Sequence, residues 1–375
     1  MKKKIAIIGS GVGGLTAANL LIKNSDFEII VYEKEKMLSL DEGYGIQLAP
    51  NSISILNKIG FKNVDKNYIF NPLKLNFYSN NNKICDLDLG KFNSDSIKYT
   101  TLQRSTLIEF LKNKLFTNNF RFGKEVRKVS KIKDKILINF SDNTNDLVDY
   151  IIVSDGVFSK TKSIIEKKNI LPRFNGSVAI RTVIKFSEEF NYESKNISLI
   201  MFPNAHVVIY PINQKNDFNL VCIVREKLSQ SYDINSIIKK KILSKNKNLE
   251  NMFKADLNLW PVYVSKKPIR SIHDNVFYLG DAFYTFVPAL AQGASQSIEA
   301  AYELFNLFNE NKKNIQNLYF KKRLKKTKQI NKRAKFNYFG FHISNPLLEI
   351  LRNFFLKRVV ENKNFIKNYL GKIYK

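Results

Sequence analysis

Cysteine and histidine are scarce in this 375-residue chain, which has two of the first and three of the second. Cys85 and Cys222 lie far apart without metal-ligand spacing, and so few histidines leave little for a zinc site, so the chain reads as reduced, metal-free and cytoplasmic. No stretch approaches about 18 apolar residues without charge, which excludes a transmembrane helix as an expectation. Met1 to Lys4 before an apolar run imitates a secretory signal, but the run is short and no cleavage-site pattern follows it. Acidic residues are the other shortage: 61 Lys and Arg face 33 Asp and Glu, a formal net charge of +28. Such an excess can mean nucleic acid or an anionic membrane. Here it is mostly Lys, spread among Asn and Ile, whose AT-rich codons offer a compositional explanation. The densest basic run, Lys321 to Lys335, reads as one solvated helix face, and no nucleic-acid-binding motif accompanies it. The length favours two domains, and 44% hydrophobic content is ordinary for a globular protein.

The most informative stretch runs from Lys4 to Glu33. An apolar run, Ile5 to Ile8, leads into Gly9-Ser10-Gly11-Val12-Gly13-Gly14, which satisfies G-x-G-x-x-G. A helical stretch, Leu15 to Ile22, follows, and then a second apolar run, Phe27 to Tyr32, ending in Glu33. Gly9 suits a tight turn, Gly11 a close backbone approach to a pyrophosphate, and Gly14 close helix–strand packing. The helix start offers free N–H groups and the positive end of its dipole. Glu33 stands where a carboxylate accepts hydrogen bonds from ribose hydroxyls. A bound dinucleotide is the expectation.

Further along, Asn51 has the residue type of a helix N-cap, with apolar spacing at Ile53, Leu56 and Ile59 and a stop at Gly60. Residues 73 to 89 read as two strands around an Asn-rich turn. Arg104 stands just before a helix carrying Leu107, Leu111 and Leu115, where the dipole disfavours a cation and an anionic or polar partner would offset the penalty. Residues 120 to 153 read as a meander of strands ending in Asp155-Gly156. Between Arg173 and Val224 four runs rich in β-branched and aromatic residues read as strands. A helical stretch from about Ile234 to Phe253 and a strand over Ala255 to Val264 follow. Asn275 to Leu279 reads as a buried strand running into Gly280-Asp281-Ala282. A long helix, Ser295 to Phe308, comes next, and the rest is helical, basic and aromatic.

The ordered set Gly9–Gly14, Asp155-Gly156 and Gly280-Asp281-Ala282 resembles the class A flavin monooxygenases, with the p-hydroxybenzoate hydroxylase fold, over nearly the whole chain. The details are most similar to the salicylate hydroxylase branch. Gly43 to Asn51 matches its GAGI-x-L-x-PNA stretch, Gly176 to Arg181 its G-x-x-A-x-R strand, His206 to Pro211 its H-x-x-x-YP strand, and Pro288 to Ala294 with Glu299 its QGA loop and acidic helix. The resemblance implies an α/β fold: a Rossmann-like FAD-binding domain with an inserted β-sheet substrate domain and a helical C-terminal region. FAD-binding parts are expected at 1–72, 99–170 and 269–310, the substrate domain at 73–98 and 171–268, and C-terminal helices at 311–375.

It also implies FAD on Gly9, Gly11, Val12, Gly13, Gly14, Glu33, Lys34, Gly45, Arg104, Asp155, Asp281, Gln292, Gly293 and Ala294. NADH or NADPH would be the transient donor and O2 the oxidant. The implied reaction hydroxylates a small phenol or benzoate-like ring through a flavin C4a-hydroperoxide. The chain departs from the usual GDAAH by placing Phe283 and Tyr284 near the expected flavin, and Lys162 stands where an Arg often follows the Asp-Gly pair. Tyr284, Pro288 and Arg181 are substrate candidates, although Arg181 fits a structural ion pair equally.

His206 and Tyr210 are the catalytic candidates. Four apart on a strand, they share one face. His206 has the pKa range to take a phenolic proton, and Tyr210 could hold the substrate oxygen; a satisfied sheet histidine and a core tyrosine are the structural alternative. His273 reads as loop, and Trp260 could line a pocket, although a lone Trp is more often core. A same-fold epoxidase or reductase acting on an apolar or isoprenoid substrate is the competing function, and a basic nucleic-acid-binding protein a third. The aromatic C-terminal region reads as helices over the substrate domain, or as a basic amphipathic surface for a membrane. A monomer or homodimer is expected.

Overall fold

The computed structural model describes residues 2–38, 40, 44–310 and 312–374. Gly43, at the head of the Gly43–Asn51 stretch, lies outside the described residues. A five-stranded parallel sheet has the order Val276–Tyr278, Tyr150–Val153, Lys3–Ile8, Phe27–Tyr32, Phe120–Arg121. Its central strands are unbroken apolar runs because both faces are covered. The Val12–Leu21 helix is buried along almost its whole length against the Gly293–Asn309 helix, with Leu15, Ala18, Ile298 and Leu304 in one core. This explains why the first helix is apolar all round rather than amphipathic.

The expected meander over 120 to 153 divides. Val126–Ile132, Lys135–Phe140 and Asn145–Val148 form a three-stranded antiparallel sheet. Tyr150–Val153 leaves it for the parallel sheet, in register with Lys3–Ile8. The residue pattern gives the reason: Lys135–Phe140 alternates buried and open positions, whereas Ile151 to Val153 are all buried.

A seven-stranded sheet has the order Asn258–Val264, Arg173–Lys185, Asp217–Arg225, Ala205–Pro211, Ile197–Phe202, Lys74–Ser79, Asn82–Asp88. The hairpin at 74–88 thus joins strands more than a hundred residues away, through a parallel pairing of Lys74–Ser79 with Ile197–Phe202. One face of this sheet, including Val178, Ile180, Val207, Ile209, Leu220 and Cys222, packs on Ile238, Ile242, Leu249 and Met252. The segment carrying those four is not one helix. It is an α-turn at Ile234–Ile238, a π-turn at Lys239–Leu243 and 3₁₀ structure at Lys247–Phe253. Asn246 breaks it, its side chain accepting the Asn248 N–H at 3.2 Å.

The opposite face looks across at the loop Thr285 to Gln292 and at the C-terminal helices, Ile315–Phe341 and Pro346–Glu361, with shorter turns to Tyr374. No helix among the described residues is long and apolar enough to cross a membrane.

Candidate active site

At the fingerprint, three glycines are enclosed by protein and one is not. Gly9 adopts φ +99°, and a Cβ there would lie 2.8 Å from the Ser154 carbonyl oxygen. A Cβ on Gly14 would lie 2.1 Å from the Gly9 carbonyl oxygen, and one on Gly13 2.4 Å from Leu279 Cδ2. Gly11, which precedes Val12 at the helix start, would meet nothing within 4 Å. No side chain caps this helix and its first turn carries no acid, so its N–H groups are open to an anion. The Glu33 carboxylate accepts from the Ser10 N–H at 3.0 Å, from the Ser10 hydroxyl, and from the Glu35 N–H at 3.1 Å. Three accepted bonds leave a carboxylate capacity for a further hydroxyl. Lys34 is exposed and pairs with Glu35 at 3.3 Å.

The other cofactor candidates come from three later segments. Asp155 Oδ2 accepts the Thr161 N–H at 3.2 Å, while its Oδ1 is buried with no protein partner. Lys162 is buried, and its Nζ donates to the Ala282 carbonyl at 2.7 Å, tying the Asp155 strand end to the Gly280–Ala282 turn. Burial lowers its pKa, against the carboxylates of Asp155 and Glu166. Asp281 opens onto the cleft but has protein on its other sides, which pushes its carboxyl up to about 6. The Gly293–Asn309 helix begins without a side-chain cap, and a Cβ on Gly293 would meet nothing within 4 Å. Gln292 Nε2 is a buried donor without a partner. Arg104 heads the Arg104–Lys112 helix, its N–H donating to the Tyr44 carbonyl at 2.8 Å.

Two uncapped helix starts with open space above Gly11 and Gly293, an orphaned carboxylate oxygen and an orphaned amide donor fit FAD. Gly45 has a second task. Its N–H donates to Asn219 Oδ1 at 2.7 Å, and a Cβ would lie 2.5 Å from Asn219 Cβ, so it lets the Gly45–Leu48 strand approach the seven-stranded sheet.

A cavity of about 980 Å³ joins the two halves. One side holds Asp281, Pro288, Gln292, Gly293 and Ala294; the other is the open face of the seven-stranded sheet. Alternate residues of five strands reach it: Ala179 and Arg181, Val221 and Ile223, His206, Val208 and Tyr210, Ile197 and Leu199, Leu75 and Phe77. Period-two alternation therefore places His206, Tyr210 and Arg181 together on the cavity side. Trp260 lines it as well and packs edge-on against Tyr44 at 5.0 Å. His273 sits between strands, in the stretch before Val276.

Arg181 lies over the Tyr44 ring at 6.0 Å. Burial raises the Tyr210 pKa well above the usual phenol range, with Arg181, Gln47 and Asn219 pulling against it. Tyr99 donates its hydroxyl to Gln47 Oε1 at 2.8 Å. Arg181 and Tyr210 of the seven-stranded sheet thus meet Gln47 of the Gly45–Leu48 strand and Tyr99 in one polar corner of a largely apolar cavity.

His206 differs from expectation. It is buried, and its Nδ1 lies 2.7 Å from Nε2 of His342, at the end of the long C-terminal helix. Burial pushes the His206 pKa down to about 3 rather than leaving it near neutrality. Burial, His206 and Arg225 together push His342 down to about 2. Two neutral rings share this contact, so His206 is a weak base here.

Phe283 and Tyr284 do not line the cavity. They pack in the core with Ala282 and Tyr278, Phe283 edge-on to Phe320 at 6.0 Å and Tyr284 beside Phe286 at 5.2 Å. Asp281 before them and Thr285 after them do line the cavity. His342, Gln47, Asn219 and Ala291 escaped the sequence reading. Only Ala291 has a local peculiarity, a left-handed φ of +50° in a non-glycine residue just before Gln292, and φ is not visible in a sequence.

The sequence pattern of the FAD binding domain family matches residues 2–314. A 3-amino-4-hydroxybenzoate 2-monooxygenase of Streptomyces platensis is 24% identical over 94% of this chain and 92% of its own. Klebsiella pneumoniae HpxO, solved with FAD and uric acid, superposes with a TM-score of 0.88 at 18% identity over 99% of this chain and 96% of its own. A salicylate hydroxylase–substrate complex superposes at 0.81 and 18% identity, over 100% of this chain and 97% of that one. The chain belongs to the FAD binding domain family and is a FAD-dependent monooxygenase with the class A fold.

Proposed function

We propose that the chain hydroxylates a small phenol or benzoate-like aromatic, with NADH or NADPH as electron donor and O2 as oxidant. One observation carries this reading: the cofactor-side residues Asp281 and Gln292 to Ala294 share one cavity with Arg181, His206 and Tyr210. FAD, when bound, supplies the activation of oxygen. Gly9 to Gly14, Val12 among them, and Glu33 hold the adenosine and pyrophosphate half in this reading, and Gly45, Arg104, Asp155 and Asp281 support the middle. Lys34 contributes at most charge at the rim. The free N–H groups at Gly293 and Ala294 stabilise negative charge beside them.

The substrate ring lies between the apolar strand face and Pro288. Arg181 takes a carboxylate or favours ionisation of a phenol by its charge, which raises the ring's electron density. Tyr210, neutral because buried, donates a hydrogen bond to the substrate oxygen. His206 makes a hydrogen bond rather than carrying a full proton at neutral pH, so Arg181 does more than His206 to promote the phenolate. The C-terminal helices form the apolar far wall of the cavity. A long apolar wall, from Leu75 and Phe77 through Ile197 and Leu199 to the C-terminal helices, favours the second reading, an epoxidase or reductase of an apolar chain.

The test is anaerobic mixing of the purified yellow protein with NADH or NADPH and a panel of phenols and benzoates. Flavin bleaching that one aromatic accelerates, followed by a hydroxylated product on admitting O2, supports the hydroxylase. Bound flavin that no aromatic stimulates moves the assignment to the second reading. A colourless protein that takes up no FAD overturns both.

A further inference from the structure

The Pro346–Glu361 helix has two apolar sides, and only one is covered. Asn345 starts it, accepting the N–H groups of Leu347 and Leu348 at 3.0 and 3.2 Å, with Pro346 in the first turn. Arg352, Val360, Leu356 and Val359 face the body of the protein. Leu347, Leu348, Ile350, Leu351, Phe354 and Phe355 face outward, with Leu347 72%, Leu351 62% and Phe354 61% exposed. At about 3.6 residues per turn these six span roughly 160° of circumference, one continuous stripe. Phe336 and Phe339 of the Ile315–Phe341 helix are also exposed, and with Leu348, Leu351 and Phe355 they line the cavity. The bare apolar surface is therefore continuous with the cavity wall.

Charge identifies the occupant. From residue 332 to 374 the exposed cations include Lys332, Lys335, Lys357, Arg358, Lys363 and Lys367, while Glu361 is the single exposed acid. Arg358 lies over the Phe354 ring at 5.4 Å, so a cation borders the apolar stripe itself. A second copy of this chain would set these cations against their own duplicates, on a molecule whose formal net charge is already +28. An anionic bilayer surface meets both requirements, taking apolar side chains into its acyl boundary and basic ones at its headgroups. We propose that the outward stripe of Pro346–Glu361, with Phe336 and Phe339, docks the enzyme on an anionic lipid bilayer.

The test is flotation of the full-length holoenzyme with phosphatidylcholine vesicles, with and without phosphatidylglycerol. Binding is expected only with phosphatidylglycerol and is expected to weaken as salt rises. The double variant Ile350→Gln, Phe354→Gln keeps its flavin absorbance, because both side chains are exposed and neither lines the cavity, and binds at least about tenfold more weakly. Absence of binding to phosphatidylglycerol vesicles at low salt overturns the proposal. So does binding that the double variant leaves unchanged, which would be attraction by net charge alone. A dimer seen by light scattering that the same variant dissociates would assign the stripe to a second copy and overturn it equally.

Discussion

Gly11 and Gly14 are three residues apart, yet their surroundings demand opposite outcomes on substitution. Gly14→Ala places a methyl 2.1 Å from the Gly9 carbonyl oxygen, so backbone must move and the helix start leaves its strand. Loss of stability is expected even without cofactor, on the order of 1–3 kcal/mol by analogy with overpacked cores. Gly11→Ala meets nothing within 4 Å in the protein, and Gly11 has φ −74°, an ordinary value. It should leave the apoprotein's urea midpoint unchanged and weaken FAD binding about tenfold or more, read by fluorescence titration; unchanged affinity would show that no pyrophosphate lies over Gly11. The His206–His342 contact calls for a pH experiment. Both rings have folded pKa values below the ordinary imidazole range, about 3 and about 2. The unfolded chain therefore binds protons that the folded one refuses once pH falls below about 6.5, and stability declines from there toward the folded values. For one such ring the decline is about 2–3 kcal/mol by pH ~4.5. The variant His206→Gln, His342→Gln should show a flatter acid limb than the parent in urea unfolding at neutral and acid pH; parallel limbs would mean that the rings are not buried as a neutral pair.

The Ile315–Phe341 helix shows how far a linear reading of an element reaches. Its basic run is solvated as expected at Lys321, Lys322, Lys325, Lys328, Lys332 and Lys335. Arg323, inside the same run, is instead 2% exposed and lies 3.4 and 3.3 Å from Glu299 and Glu303, with Gln296 Oε1 at 2.9 Å. Glu299 also accepts from Asn51 Nδ2 at 2.9 Å and pairs with Lys326 at 3.1 Å. This network holds the Gly293–Asn309 helix from behind. Arg323→Ala leaves the half-buried Glu303 carboxylate without its cation while Glu299 keeps Lys326, so the loss should fall at or below the lower end of the roughly 3–5 kcal/mol seen where fully buried pairs are broken. It should lower the urea midpoint and FAD retention together, whereas Lys325→Ala, on the solvated side, should change neither.

Elements written in local pattern were legible: Lys3–Ile8, Val12–Leu21 and the four strands of the large sheet all carry their period or their glycines with them. The face on which His206 and Tyr210 lie was legible only as a pair, since period two says that they agree and not which way they point. The partner of His206 was beyond reach, because His342 is 136 residues away and reaches it only through the packing of two separate elements. The same holds for Arg323 among the lysines, whose burial depends on two glutamates from another helix. The break in residues 234–253 was missed for a local reason: Asn246 bonding its own backbone competes with a helix that apolar spacing alone suggests.

For the molecule as a whole, the proposed cofactor site is assembled from segments far apart in the chain, at 9–14, 33, 104, 155, 281 and 292–294. No one of them makes a site when the chain is unfolded, so FAD binds the native state alone and must stabilise it by mass action. At about 100 times its dissociation constant the gain is about 2.7 kcal/mol. Unfolding entropy near 2.1 cal/mol/K per residue, taken over this chain, converts that to a rise in melting temperature of about 3–4 °C. The seven-stranded sheet is tied to the rest of the chain through Asn219 and Gly45 and by the 74–88 hairpin, which pairs with Ile197–Phe202. That interlock predicts one calorimetric transition that moves as a unit when FAD is added. Two transitions, of which only one responds, would show that the large sheet unfolds independently. A single transition that does not move with FAD, in a protein that Gly11→Ala leaves equally stable, would remove the cofactor from this cleft altogether.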